Sequence, residues 1–314
     1  MSFEDIIGHN NIKTQFVKAI ETNTLAHAHL IVGEDGIGKS LLAKNTAVKL
    51  LGKSKDIEYA DIKEWGISST RKSISVDQVR DIIEELNKKP YEGDKKITIV
   101  HDADKMTVQA QNAFLKTIEE PPRGVTIILL AETLDTILET IKSRCQIHKL
   151  RRLNQSEMDA FLEKKYPHMS SDELKAVSAF SDGIPGRAEK FLEDDSFKEV
   201  RDNVVRVLTQ ANADNLTELL KYEGFFTQHK DMWREVLACF LSYIRDVMVY
   251  KEIGDEDLII NADKINDIRS LASMFSFNKL NKFIEIINNA IDNLQKNVNL
   301  SLTYNVMLMK MQEV

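Results

Sequence analysis

A chain of 314 residues, 43% hydrophobic and 29% charged, has material for two or three domains with real cores and fits an ordinary soluble globular protein. Its formal charge of −7 argues against a surface that grips nucleic acid unaided, while leaving room for a basic strip contributed to a larger ring. The two cysteines, Cys145 and Cys239, exclude a disulfide framework and a Cys-x-x-Cys metal site, and point to a reducing, cytoplasmic setting.

The start, Met1-Ser2-Phe3-Glu4-Asp5, lacks the basic and apolar regions of a signal peptide, and no apolar run approaches membrane-spanning length. Phe3, Ile6 and Ile7 lead to Gly8, and Ile12, Phe16, Val17 and Ile20 then recur at helical spacing. Such a lead-in packs either on a nucleotide base or simply into a core. Leu30-Ile31-Val32 reads as a buried strand, and Leu41 to Leu51 as a helix. Between them lies Gly33-Glu34-Asp35-Gly36-Ile37-Gly38-Lys39-Ser40, a full G-x-x-x-x-G-K-[ST] phosphate loop in the strand–loop–helix context that the motif needs. Gly33, Gly36 and Gly38 let backbone N–H groups close around a phosphate at the positive end of the new helix. Lys39 is expected to reach the β- and γ-phosphates of ATP or ADP, and Ser40 to ligate Mg²⁺.

Residues 52–60 read as a polar connection. Ile62, Trp65 and Ile67 fit a short strand, and a helix follows with Val79, Ile82, Ile83 and Leu86 on its buried face, capped by Ser75 or Asp77. Pro90 ends it, and Glu92-Gly93-Asp94 is turn chemistry. Ile97 to Val100 is the next strand, running into His101-Asp102-Ala103-Asp104. Nucleotide hydrolases of this architecture place an acidic pair here, one carboxylate for Mg²⁺ and a following Glu to polarise water. If Asp102 is the metal carboxylate, Ala103 fills the base position. If Asp102 is the base, His101 fills the metal position. The bland alternative is that Asp102 only caps a turn.

A helix carries Ala110, Ala113, Phe114, Leu115 and Ile118 and is stopped by Glu119-Glu120-Pro121-Pro122-Arg123-Gly124. Val125 to Leu130 reads as a buried strand, Thr133 to Ile141 as a short helix, and Gln146 to Leu150, after Ser143-Arg144-Cys145, as the last strand. Strands alternating with helices predict an open parallel α/β sheet. Beyond Leu150 the strand signal disappears. Residues 153–194 read as a compact helical unit around the turn Ser181 to Arg187, and every segment from Phe197 on has helical periodicity, including a Met- and Leu-rich tail from Leu302 to Met311.

The runs Asp102-Ala103-Asp104-Lys105-Met106-Thr107, Gln111-Asn112-Ala113-Phe114-Leu115-Lys116-Thr117-Ile118-Glu119-Glu120-Pro121-Pro122 and Ser143-Arg144-Cys145 together resemble the bacterial clamp loaders, and among them the delta-prime subunits of DNA polymerase III. The opening Phe3 to Gly8 and the turn Gly183-Ile184-Pro185-Gly186-Arg187-Ala188 are similar to the same family. The strong motifs lie within residues 1–190, and the helical remainder matches in character. The resemblance implies an AAA+ nucleotide-binding domain over residues 1–151, a helical lid over 152–196 and an all-helical collar, or oligomerisation, domain over 197–314.

It also implies a role. The chain would be one subunit of a hetero-pentamer with gamma/tau and delta subunits that opens a sliding clamp and places it on primed DNA. Arg144 would be an arginine finger reaching the ATP site of a neighbouring subunit; the alternative is that it pairs with a local carboxylate. Arg187 would be a phosphate sensor on the lid, or else hold an ordinary ion pair. Cys145 is expected to be a buried apolar residue, not a nucleophile. Two features depart from the family. Residues 51–74 contain no cysteine, so the zinc module of many relatives is not expected. The phosphate loop is intact, although delta-prime loops are often degraded. Nucleotide binding with little or no hydrolysis follows as the expectation. Alternatives are a gamma/tau-like motor subunit, an unrelated P-loop ATPase, and a scaffold with a vestigial loop. Lys105, Lys116, Arg123, Arg151 and Arg152 are candidates for DNA contact in an assembled ring, or else plain solvated charges.

Overall fold

The computed structural model describes residues 3–54, 57–67, 71–193, 195–212 and 215–314. Met1 and Ser2 at the expected start, residues 55 and 56 of the expected connection and residue 194 at the end of the expected helical unit lie outside the described residues. The chain forms two compact units, one of residues 1–161 with 183–186, the other of residues 162–182 with 187–314.

The first unit is built on five parallel strands, β1 (Ala28–Val32), β2 (Ile62–Trp65), β3 (Lys96–Val100), β4 (Val125–Ala131) and β5 (Gln146–Lys149), in the order β2-β3-β4-β1-β5. β1, β3 and β4 are buried along their whole length, as continuous apolar runs in a parallel sheet require. The two-residue period sends alternate side chains to opposite faces. Leu30, Val32, Val100, Ile127 and Leu129 face α3 (Val76–Leu86) and α4 (Val108–Glu119), packing on Val79, Ile82, Phe114 and Ile118. Ile31, Ile97, Ile99, Ile128 and Leu130 face α1 (Asn10–Glu21) and α2 (Lys39–Leu50), packing on Phe16, Leu42, Ala43 and Ala47. The apolar lead-in is therefore core: Ile6 and Phe16 are buried in this second cluster.

Of the two candidate caps of α3, Ser75 is the one used. Its hydroxyl accepts from the Gln78 N–H while the Gln78 side chain accepts from the Ser75 N–H, a reciprocal capping box. β2 stops at Trp65, before Gly66, and Ile67 packs against the core without pairing. The expected helix from Thr133 to Ile141 shrinks to α5 (Glu139–Lys142). Its apolar residues Leu134, Ile137, Leu138 and Ile141 have helical spacing, but the buried Gln111 competes for the backbone. Gln111 Nε2 donates to the Thr136 carbonyl at 2.8 Å, and its Oε1 accepts from the Leu138 N–H at 2.8 Å, so the segment is held as a turn.

Helices α6 (Gln155–Lys165), α7 (Ser171–Ser181) and α8 (Pro185–Glu193) follow, with no further strand among the described residues. The second unit continues through α9 (Asp195–Gln210), α10 (Leu216–Gln228), α11 (Trp233–Ile253), α12 (Ile265–Met274), α13 (Phe277–Gln295) and α14 (Leu300–Glu313). Phe226 on α10 meets Phe240 on α11 and Tyr304 on α14, with ring centroids 5.9 and 5.4 Å away. The charge of the buried Arg201 is met by a two-pronged pair of Nη1 and Nη2 with Asp263 and a hydrogen bond from Nη2 to Asn261, the pairing on which a buried charge is tolerated, while its Nε finds no partner among the described residues. α14 buries Tyr304, Met307, Leu308 and Met311 but leaves Leu302, Val306 and Met309 exposed. No helix among the described residues is long and apolar enough to cross a membrane.

Candidate functional site

The phosphate loop leaves the end of β1 and turns into α2. Its first residue is anchored by the Gly33 N–H, which donates to the Ala131 carbonyl at the end of β4. Gly36 and Gly38 sit at φ +80° and +104°, where a side chain would be strained. Gly38 is the N-cap of α2, so the free N–H groups of the first helical turn open at the loop. Ile37 points inward and is buried. Lys39 Nζ donates to the carbonyls of Gly33 at 2.6 Å and Glu34 at 3.0 Å. Burial lowers the Lys39 pKa, against the opposing pull of Asp35, Glu132, Asp104 and Asp102.

The turn expected at residues 181–187 closes on this loop. The Gly186 N–H donates to the Gly36 carbonyl at 2.9 Å, and a Cβ on Gly186 would stand 2.6 Å from the Gly36 Cα. Ile184 of the same turn is buried in the core beside Ile37. Glu34, inside the loop, is gripped by Arg152, whose Nε and Nη2 donate to the two carboxylate oxygens at 2.6 and 2.9 Å.

The strand after the loop unit brings His101 to the loop. Ser40 Oγ faces His101 Nδ1 across 3.5 Å, the arrangement of the register in which His101 stands at the metal position and Asp102 at that of the base. His101 Nε2 lies 2.8 Å from Glu64 Oε2 on β2, and Lys44 Nζ on α2 lies 3.0 Å from the other oxygen. Burial works against ionisation of Glu64, but the hydrogen bonds from His101 and Lys44 prevail and hold its carboxyl below the usual range. Asp102 is in the left-handed region at φ 52°, and its carboxylate accepts from Lys105 Nζ at 2.8 Å. The side chains beside Ser40 thus include no Asp-Glu pair. Mg²⁺, which demands oxygen ligands, meets an imidazole where it needs a carboxylate, and His101 does not fit it.

Arg144 lies at the opposite end of the strands from the loop, before β5, which neighbours β1. Gln146 of β5 pairs with His29 and Lys149 with Val32, while the loop follows Val32. At about 3.3 Å per residue, the strand separates Arg144 from its own loop by roughly 15 Å. Arg144 Nε and Nη2 pair with the Glu119 carboxylate at 3.0 and 3.2 Å, and Nη1 donates to the Thr140 carbonyl at 3.0 Å. The side chain is 34% exposed. The neighbouring Cys145 is half-buried, not fully buried as expected, and desolvation pushes its thiol up to about 12, which disfavours the thiolate.

Gly33, Gly36, Gly38, Lys39 and Ser40 are thus gathered with His101, with Asp102 beside them on the next turn. Arg187 lies on α8 in the second unit. Glu64, Lys44, Glu119 and the Arg152–Glu34 pair were not foreseen. Of the candidates for DNA contact, Arg152 is committed to Glu34 and Lys105 to Asp102. Among the described residues no group of three or more His, Cys, Asp or Glu is placed to hold a metal ion.

A family model described as DNA polymerase III, delta subunit, matches residues 8–154, and one described as DNA polymerase III, delta subunit, C terminal, matches residues 195–313. The chain is similar to DNA polymerase III subunit delta′ of Bacillus subtilis (28% identity; 94% of this chain, 93% of the relative). It is also similar to subunit delta′ of Pseudomonas aeruginosa (27% identity; 76% of each). Among solved structures, a DNA polymerase III gamma subunit-related protein of Thermotoga maritima shares the fold, with TM-score 0.50 and 17% identity over 95% of this chain and 99% of that one.

Proposed function

The chain belongs to the DNA polymerase III delta-prime family of clamp-loader subunits, and from that premise we propose that it is a nucleotide-binding, non-hydrolysing stator that supplies Arg144 in trans. Its partners on this reading are gamma/tau and delta subunits in a hetero-pentamer, the sliding clamp and primed DNA. The observation that carries the reading is the separation of loop and arginine to opposite ends of two neighbouring parallel strands. An arginine roughly 15 Å from its own loop is of no use to nucleotide held there, which supports the reading that it serves a loop on another chain. The loop itself keeps its glycines, Lys39 and Ser40, while His101 replaces the carboxylate that a gamma/tau-like motor subunit requires.

The Glu119 pair does not bar this role. Exposed ion pairs are worth about 0.2–1 kcal/mol, whereas arginine fingers raise turnover about 10³–10⁵-fold, or roughly 4–7 kcal/mol. The guanidinium therefore exchanges Glu119 for a developing phosphoryl charge at small cost. On the same reading residues 1–151 are the nucleotide-binding domain, 152–196 the lid and 197–314 the collar, with Arg187 the lid residue that answers to bound phosphate.

The test is Arg144→Ala in the reconstituted loader. Turnover at the site facing Arg144 is expected to fall roughly 10³-fold with assembly intact, read as a large loss of DNA-stimulated ATPase. Unchanged ATPase would remove the finger.

A further inference from the structure

We propose that the phosphate loop takes its nucleotide together with a divalent ion of the imidazole-binding class, Mn²⁺ or Co²⁺, in preference to Mg²⁺, with His101 Nδ1 and Ser40 Oγ as the ion's two protein ligands. The inference rests on the nucleotide-binding reading above and specifies what accompanies the nucleotide.

His101 is held as a metal-ligating histidine is held. Its Nε2 meets Glu64 Oε2 at 2.8 Å, and an ionised carboxylate only accepts, so Nε2 carries the proton. Lys44, 3.0 Å from the other Glu64 oxygen, already gives that carboxylate a countercharge. With Nε2 engaged by Glu64, Nδ1 is the ring nitrogen turned toward Ser40. A carboxylate behind the far N–H is the usual device that fixes a liganding imidazole and raises its basicity. Nδ1 faces Ser40 Oγ across 3.5 Å. Neighbouring ligands of an octahedral ion with bonds of about 2.1 Å stand roughly 3 Å apart, so a shift of well under an ångström lets both bind one ion.

The donor set selects the ion. Mg²⁺ favours carboxylate, carbonyl and water oxygens, whereas imidazole suits the first-row transition ions, whose affinity rises from Mn²⁺ through Co²⁺. With no self-sufficient metal cluster among the described residues, the remaining ligands are phosphate oxygens and water. Ion and nucleotide therefore bind as one.

The test titrates the full chain with ADP by calorimetry in Mg²⁺, Mn²⁺, Co²⁺ or EDTA. ADP should bind at least ~3-fold more tightly with Mn²⁺, and more tightly again with Co²⁺, than with Mg²⁺. His101→Asp, checked for a normal melting profile, should strengthen ADP binding in Mg²⁺ and so narrow the gap to Mn²⁺ and Co²⁺. The electron spin-echo of bound Mn²⁺ should show a directly coordinated nitrogen that disappears in His101→Gln; this signal in the unaltered chain decides the matter should His101→Asp not fold. ADP binding without discrimination among ions, or an echo without nitrogen coupling, overturns this inference and leaves nucleotide binding standing. No ADP binding under any condition overturns both.

Discussion

A buried pair of histidines shows how strictly single residues are specified here. His29 on β1 and His148 on β5 meet at 3.1 Å, beside the ring of Phe16. His29 Nε2 lies 2.9 Å from the Ala26 carbonyl, so it carries the proton and donates there. His29 Nδ1 must then accept from the His148 Nε2–H. The arrangement works only when both rings are neutral. Burial lowers both pKa values to about 4, with the charge of His148 adding to the effect on His29. Each folded-state value lies below the unfolded 6.5, so between about pH 4 and 6.5 the unfolded chain binds more protons. Stability is therefore full above pH 6.5 and falls as the solution is acidified toward pH 4. Urea midpoints at pH 5 and pH 7 check this: the midpoint should be lower at pH 5, and His148→Gln should flatten the dependence.

At the scale of elements, legibility followed the range of the determining contact. The phosphate loop and the buried strands were readable because their signals are local, glycines at fixed spacing and continuous apolar runs such as Val125–Ala131. Which of His101 and Asp102 meets Ser40 was not, because Ser40 lies 61 residues from His101 in sequence and only the sheet brings the two side chains together. Glu64 carried no signal at all, being one polar residue on an edge strand. The shortened α5 was misread because periodicity does not report a buried Gln111 that takes the backbone hydrogen bonds for itself. The Gly183–Gly186 turn was legible as a turn but not as the cover of the loop. Its tight approach gives a prediction: Gly186→Ala places a methyl 2.6 Å from the Gly36 Cα, and overpacking of this kind costs about 1–3 kcal/mol. Thermal unfolding should register that loss, and ADP affinity should fall with it, whereas Gly224→Ala, where a Cβ meets nothing within 4 Å, should not weaken ADP binding.

For the whole molecule, family membership and the chemistry of the loop give one expectation. The pure chain should retain ADP in a calorimetric titration yet turn over ATP no faster than background, because the position opposite Ser40 holds an imidazole and Asp102 is tied to Lys105. Brisk steady-state hydrolysis by the isolated protein would refute the stator reading while leaving its place in the loader intact. The net charge of −7 adds that DNA binding by the chain alone should be weak, since phosphate contact would be shared around a ring.

On the stator reading, loop and arginine at opposite ends of neighbouring strands make the protein directional, like a link with a hook at one end and an eye at the other. A contact of that kind is heterologous: each link meets the next by a different face, so repetition gives a ring or an open filament and never a symmetric pair. On that reading, a link that engages a neighbour on one side and whose eye is poorly suited to the common ion drives no chemistry of its own. Such a link marks where a row of working engines begins or ends.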